Sequence, residues 1–129
     1  MKPKKILVVD DEERVREMLG FRLRLFGYEV VQAANGREAI EAATREKPDL
    51  VLLDVMMPEL DGFQVCSRLK QDEATRSIPV VILTAKAEAK DVTRAVNSGA
   101  VDYVVKPYDP QVLQQKVARS LGKAAGSRS

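Results

Sequence analysis

Five short apolar runs rich in β-branched residues alternate along the chain with five stretches whose apolar positions recur at helical spacing. Ile6-Leu7-Val8-Val9 reads as a first strand, followed by a helix from about Glu12 to Phe26 in which Val15, Leu19, Leu23 and Phe26 share one face. Gly27 ends it. Tyr28 to Ala33 gives a second strand, and Asn35 caps a helix that turns Ala39, Ile40 and Ala43 inward, with Pro48 just past its end. Leu50-Val51-Leu52-Leu53 is a continuous apolar run, the pattern of a parallel strand covered on both faces. Asp61 is an N-cap for a helix from Gly62 to about Gln71, with Val65, Cys66 and Leu69 on one side. Pro79 to Leu83 makes a fourth strand, where a residue without an N–H fits only the first position. A polar helix from about Glu88 to Asn97, closed by Gly99, precedes a fifth strand from Val101 to Val105. Asp109-Pro110 then supplies an N-cap and a proline at the first helical position for a last helix to about Leu121.

Strands that alternate with helices need right-handed crossovers and a parallel sheet, so the pattern predicts a doubly wound α/β sandwich. Sites in such folds lie outside the carboxyl ends of the strands. Asp10 and Asp11 follow the first strand, Asp54 the third, Thr84 the fourth and Lys106 the fifth. All five therefore fall on one edge.

Composition narrows what that edge can do. A chain of 129 residues, 45% hydrophobic and 31% charged, reads as one globular domain rather than a disordered or membrane protein. We assign residues 1–122 to that domain and 123–129 to a flexible tail or linker remnant. The net charge of +2 conceals 21 basic residues interleaved with 19 acidic ones, so no basic stripe marks a nucleic-acid surface. The apolar run at Ile6 to Val9 stops too soon to be a signal peptide or a membrane span. Cys66 has no second cysteine to pair with and falls on a core face, which fits a reducing, cytoplasmic setting. Histidine is absent, which removes every His-based triad and metal site. Any chemistry must run on carboxylates, hydroxyls and lysine.

Three carboxylates in one place repel: at about 4 Å and an effective dielectric near 20, an ionised pair costs on the order of 4 kcal/mol. A hard divalent cation offsets that repulsion, and a few oxygen ligands with several waters suit Mg²⁺, with Mn²⁺ as a substitute. With the cation bound, an aspartate at a strand end can act as nucleophile toward a phosphoryl group. Lys106 and Thr84 can then bind its oxygens through a charge and a hydroxyl.

The stretches "VVDDEERVREML", "LVLLDVMMPELDG", "PVVILTA" and "GAVDYVVKPY", in this order and spacing, resemble the receiver domain of bacterial response regulators over nearly the whole chain. The resemblance implies a flavodoxin-like (βα)5 sandwich with strand order 2-1-3-4-5. It makes Asp54 the phosphoacceptor, Asp11 a direct Mg²⁺ ligand, Asp10 a ligand mainly through water, and Met56 a ligand by its backbone carbonyl. It places Lys106 beside the phosphoryl group, next to a cis peptide between Lys106 and Pro107. Thr84 and Tyr103 match the family's switch pair: the hydroxyl moves toward the phosphoryl group and the ring turns inward. The implied donor is a sensor histidine kinase or histidine phosphotransferase. The implied output is a changed surface on the fourth helix, fifth strand and fifth helix, which meets an effector, an output domain or a second copy. The chain is thus a signalling switch rather than an enzyme with a separate substrate.

Other readings are weaker on specific residues. A dehalogenase-type phosphatase needs a second acid two residues after its nucleophile, where this chain has Met56. A flavin-binding relative needs a phosphate cradle after the first strand, where Asp10-Asp11-Glu12-Glu13 repels phosphate. A degenerate receiver serving only as an interaction module would not need Asp10, Asp11, Asp54, Thr84 and Lys106 together. Glu12 and Glu13 read as helix-start acids, and Met56 and Met57 as packing side chains. Met56 and Lys86 flank the path of attacking water and neither is a good base, while small Ala85 leaves the phosphoryl group accessible, so slow self-dephosphorylation is expected.

Overall fold

The computed structural model describes residues 2–85 and 89–126. Its sheet has the order β2-β1-β3-β4-β5, with every neighbouring pair parallel: β1 is Lys5–Val9, β2 Glu29–Ala33, β3 Leu50–Asp54, β4 Val80–Thr84 and β5 Asp102–Val105. The intervening helices are α1 (Glu13–Leu25), α2 (Gly36–Glu46), α3 (Gly62–Gln71), α4 (Ala89–Ser98) and α5 (Pro110–Gly126). This is the doubly wound sandwich that the alternation predicts.

The strand pleat divides the core in two. Leu7, Val9, Val51, Leu53, Val80 and Ile82 pack with Ala39 and Ala43 of α2, Val65, Cys66 and Leu69 of α3, and Ala95 of α4. Ile6, Val8, Leu50, Leu52, Val81, Leu83 and Val104 pack with Leu19 and Leu23 of α1 and Leu113 and Val117 of α5. Apart from Lys5 at the start of β1, the central strands β1, β3 and β4 are buried along their whole length, which is why they read as near-continuous apolar runs. Cys66 is core, its Sγ 3.3 Å from the Ser98 carbonyl oxygen, and burial pushes its thiol pKa up.

The predicted caps form. Asn35 Oδ1 accepts from Glu38 N at 2.9 Å, and Asp61 and Gln64 make a reciprocal capping box with both bonds at 2.9 Å. Asp109 Oδ1 accepts from Gln111 N at 2.7 Å at the start of α5. Gly27 leaves α1 and Gly99 leaves α4, each at φ 95°, a region in which only glycine is unstrained.

Several boundaries shift. β4 begins at Val80 rather than Pro79, whose carbonyl nonetheless accepts from Val51 N at 3.0 Å. It runs on to include Thr84, which pairs with Val105. α5 continues past Leu121 to Gly126, because Gly122 keeps a negative φ and the following Lys-Ala-Ala favours helix. Glu88, the expected start of the fourth helix, lies outside the described residues, as does Lys86.

Gly62 connects the fold to the site. Its N–H donates to the Val55 carbonyl at 3.0 Å, and a Cβ there would lie 2.5 Å from the Asp54 carbonyl oxygen. Only glycine lets the first turn of α3 sit this close to the end of β3. Gly62→Ala should cost about 1 to 3 kcal/mol, since that backbone must move. Gly122→Ala, with nothing within 4 Å of its Cβ, should instead gain up to about 1 kcal/mol. Urea unfolding of the two variants checks the contrast.

Candidate functional site

The parallel register brings the predicted residues to one edge. β1 ends at Val9, pairing with Leu53, so Asp10 leaves the sheet beside Asp54. Asp54 pairs with Leu83 and Thr84 with Val105, so Thr84 and then Lys106 follow on the next two strands. Lys106 N donates to the Thr84 carbonyl at 2.7 Å, which holds the lysine over the strand ends. From there its Nζ reaches Asp54 Oδ1 at 2.7 Å and lies 3.7 Å from Asp10 Oδ2. The peptide from Lys106 to Pro107 is cis, as the resemblance implies.

Asp10 and Asp54 are almost wholly buried, at 1% and 4% exposure. Asp10 Oδ1 accepts from Glu12 N at 2.9 Å, but Asp10 Oδ2 has no hydrogen-bond partner; Lys106 is near enough to attract it and too far to bond. Burial pushes the Asp10 carboxyl above its ordinary range against the pull of the Glu12 N–H, with the Asp54 charge adding to the rise. Burial likewise raises Asp54, more than the Lys106 hydrogen bond and charge lower it. Burial would lower the Lys106 ammonium, but its bond and attraction to Asp54, then to Asp10, hold it above the ordinary lysine value. One cation thus serves two desolvated acids, and Asp11 stands exposed beside them.

Carboxylate oxygens of Asp10, Asp11 and Glu12 all fall within 4.8 Å of one another. Glu12 belongs to this group by position. Sequence reading gave it only a helix-start role, and that role is also seen: its backbone N–H bonds Asp10 and its carbonyl accepts from Arg16 N. The packing role expected for both methionines holds for Met57 alone, because Met56 is 74% exposed while Met57 lies against the core. The loop explains this: Gly62 N and Met57 N both bond Val55 O, which folds Met57 inward and leaves Met56 at the crest.

Behind Thr84 a narrow crevice, with no room for a water molecule, is lined by Phe63, Ile82, Asp91, Val92, Ala95 and Tyr103. Arg94 packs 4.3 Å above the Phe63 ring, with its guanidinium 3.6 Å from Asp61. The Tyr103 ring, half-buried, packs at the crevice and lies 4.7 Å below the Lys116 ammonium.

Comparison with known proteins agrees with this geometry. The model of the response regulator receiver domain matches residues 6–118. A probable transcriptional regulator ycf27 of Cyanophora paradoxa is 49% identical over 118 residues, which cover 92% of this chain and 48% of that protein. The alkaline phosphatase synthesis transcriptional regulatory protein PhoP of Bacillus subtilis is 44% identical over 94% of this chain and 50% of its own length. The chain therefore spans about half the length of the curated relatives it matches. Among solved structures, a putative response regulator from Chloroflexus aurantiacus superposes with a TM-score of 0.89 at 39% identity, covering 94% of this chain and 99% of that one. The receiver domain of sensor histidine kinase PA1611 from Pseudomonas aeruginosa, solved with a magnesium ion in its active-site cleft, gives 0.85 at 32% identity over 93% of this chain and 98% of its own. With strand order, edge residues and family match in agreement, this chain belongs to the response regulator receiver domain family of two-component signalling.

Proposed function

We propose that Asp54 is the phosphoacceptor of this receiver and that the Asp10, Asp11 and Asp54 carboxylates, with the Met56 carbonyl, form its Mg²⁺ site. The observation that carries the reading is Asp54 at the end of β3, buried on the sheet side and held at 2.7 Å by the Lys106 ammonium. The donors fit a hard cation: they are all oxygen, and Asp10 Oδ2 is buried without a hydrogen-bond partner. Bound Mg²⁺ supplies charge neutralisation for the phosphoryl oxygens.

The chain's own residues do the rest. Lys106 keeps Asp54 oriented and stays protonated through the physiological range, so its charge is available to the incoming phosphoryl group. An Asp54 oxygen attacks phosphorus in line; the new O–P bond forms as the bond to the donor, a phosphohistidine nitrogen or a small acyl phosphate, breaks. Transfer replaces a carboxylate by a group of about −2 charge, and Lys106 shifts from the one to the other. Thr84, buried at 9% exposure on the adjacent strand, offers its hydroxyl to the same oxygens.

Movement of Thr84 opens the crevice that Tyr103 borders, and the ring turns into it. The altered surface is α4, β5 and the start of α5, where Val96 is 67% and Val112 42% exposed. It meets an effector, an output domain or a second copy of the chain. The domain is residues 1–122 with the last turn of α5, since residues 123–126 continue that helix rather than begin a flexible tail. Self-dephosphorylation is slow because Met56, an apolar side chain turned outward at 74% exposure, offers no base to attacking water.

Intact mass after treatment with a small acyl phosphate tests the chemistry. One phosphoryl group should be gained with Mg²⁺ and none without it or in Asp54→Asn. That adduct should persist for minutes or longer once the donor is removed, and its decay is read by the same mass measurement.

Electrostatics gives a second outcome. Because Asp10 and Asp54 are raised in the fold, each favours its protonated form there. Their contribution to stability is fully present below the ordinary value near 3.8 and is lost as pH rises through the raised folded values. Asp10→Asn removes one of these charges. In metal-free buffer it should unfold at higher temperature than the wild type at pH 7, by on the order of 1 kcal/mol or roughly 3 to 5 °C. The difference should vanish near pH 3.5, and added Mg²⁺ should raise the melting temperature of the wild type only.

A further inference from the structure

Lys116 lies on α5, six residues beyond its first residue, Pro110, and its ammonium is committed to the neighbourhood of Tyr103 in three ways. It donates to the Tyr103 carbonyl oxygen at 2.6 Å, pairs with Asp102 Oδ1 at 3.3 Å, and sits 4.7 Å from the centroid of the Tyr103 ring. The two ionic side chains are 24% and 18% exposed, so the charges are partly withdrawn from water. The Tyr103 hydroxyl makes no hydrogen bond among the described residues. Among the described residues, the ring is held by the ammonium over its face and by the crevice that it lines.

The crevice is the other place for the ring. In the present arrangement it is closed, too narrow for water and lined mainly by Phe63, Ile82, Val92 and Ala95. One feature pulls inward: Asp91 Oδ2 is buried there without a hydrogen-bond donor. The ring thus has a cation over its face and an unmet acceptor in the crevice that it lines.

We propose that Lys116 is the positioning residue that holds Tyr103 in its outward place, so that its ammonium sets how often the unphosphorylated protein visits the switched arrangement. This rests on the reading of Tyr103 as a moving ring given above. The geometry makes α5 a direct sensor of the ring. While the ring is out, the ammonium shares it with Asp102 and the carbonyl; when the ring turns in, Lys116 keeps only the latter two and one face of its charge becomes free. An attraction between ammonium and ring at this distance and exposure changes the ratio of the two ring positions by about five-fold. A ratio shift of that size passes into the rate of any step that needs the inward ring.

Fluorotyrosine labelling and ¹⁹F NMR test this directly, because the chain has three tyrosines and no tryptophan, and Tyr103→Phe identifies the signal. Lys116→Gln retains a donor for the Tyr103 carbonyl while removing the charge. It should move the unphosphorylated Tyr103 signal toward its phosphorylated position and speed phosphorylation by an acyl phosphate about five-fold. Lys116→Arg, which restores a cation over the ring, should return both to the wild-type values. If the wild-type signal moves on phosphorylation but Lys116→Gln leaves signal and rate unchanged, the inference fails alone. Equal effects of Gln and Arg would also overturn it, since the charge would then not be the cause. A wild-type signal unmoved by phosphorylation would sink the moving-ring reading and this inference with it.

Discussion

The contact between Lys106 Nζ and Asp54 Oδ1, 2.7 Å long, spans from the end of β5 across β4 to the end of β3. Everything at the functional edge is arranged around it. Two buried acids would otherwise face each other at the carboxyl ends of β1 and β3 with no counter-charge, and desolvation of even one such ion costs several kcal/mol. The lysine can offset this only because the backbone bond from Lys106 N to Thr84 O fixes where its stem begins. Remove that register and the same residues would be a surface lysine and two misplaced aspartates.

The offset is incomplete, and the incompleteness has a use. Lys106 bonds Asp54 and leaves Asp10 Oδ2 unpartnered. Both carboxyls are consequently held above their ordinary range, mainly by burial. A site fully satisfied by protein groups would gain nothing from a cation or from a transferred phosphoryl group. Here Asp10 Oδ2 is left unmet, so on the proposed function a cation or phosphoryl group would meet groups already oriented for it. The crevice beside Tyr103 repeats this on a smaller scale, with an unmet acceptor at Asp91 in its lining and the Lys116 cation over the Tyr103 ring.

Support for the site comes from the interior. Gly62 admits the first turn of α3 against the Asp54 carbonyl, the Asp61–Gln64 capping box fixes that helix start, and Arg94 of α4 packs over Phe63 of α3. Alongside these contacts, the loop after Asp54 presents Met57 inward and Met56 outward. The sheet itself contributes through burial on both faces, since the two clusters use alternate residues of the same strands.

Much of this was legible from one dimension. The apolar run Leu50 to Leu53 ending in Asp54, the caps at Asn35, Asp61 and Asp109, and the glycines after α1 and α4 act through neighbours a few residues away, and local chemistry decides them. The gathering of Asp10, Asp54, Thr84 and Lys106 at one edge followed as well, because parallel strands joined by right-handed crossovers leave a single carboxyl edge. Other features were not legible. The stacking of Lys116 on Tyr103, the orphan oxygens of Asp10 and Asp91, the closeness of Glu12 to the acidic cluster and the outward turn of Met56 depend on side-chain directions. Periodicity says which face a residue takes; it does not say which atom of a distant side chain arrives within 3 or 5 Å of another. The alternation of strands and helices therefore determined the fold and the membership of the site. Only the packed tertiary structure decided which charges are paired and which are left waiting, because that depends on how far each side chain can reach once the backbone around it is fixed.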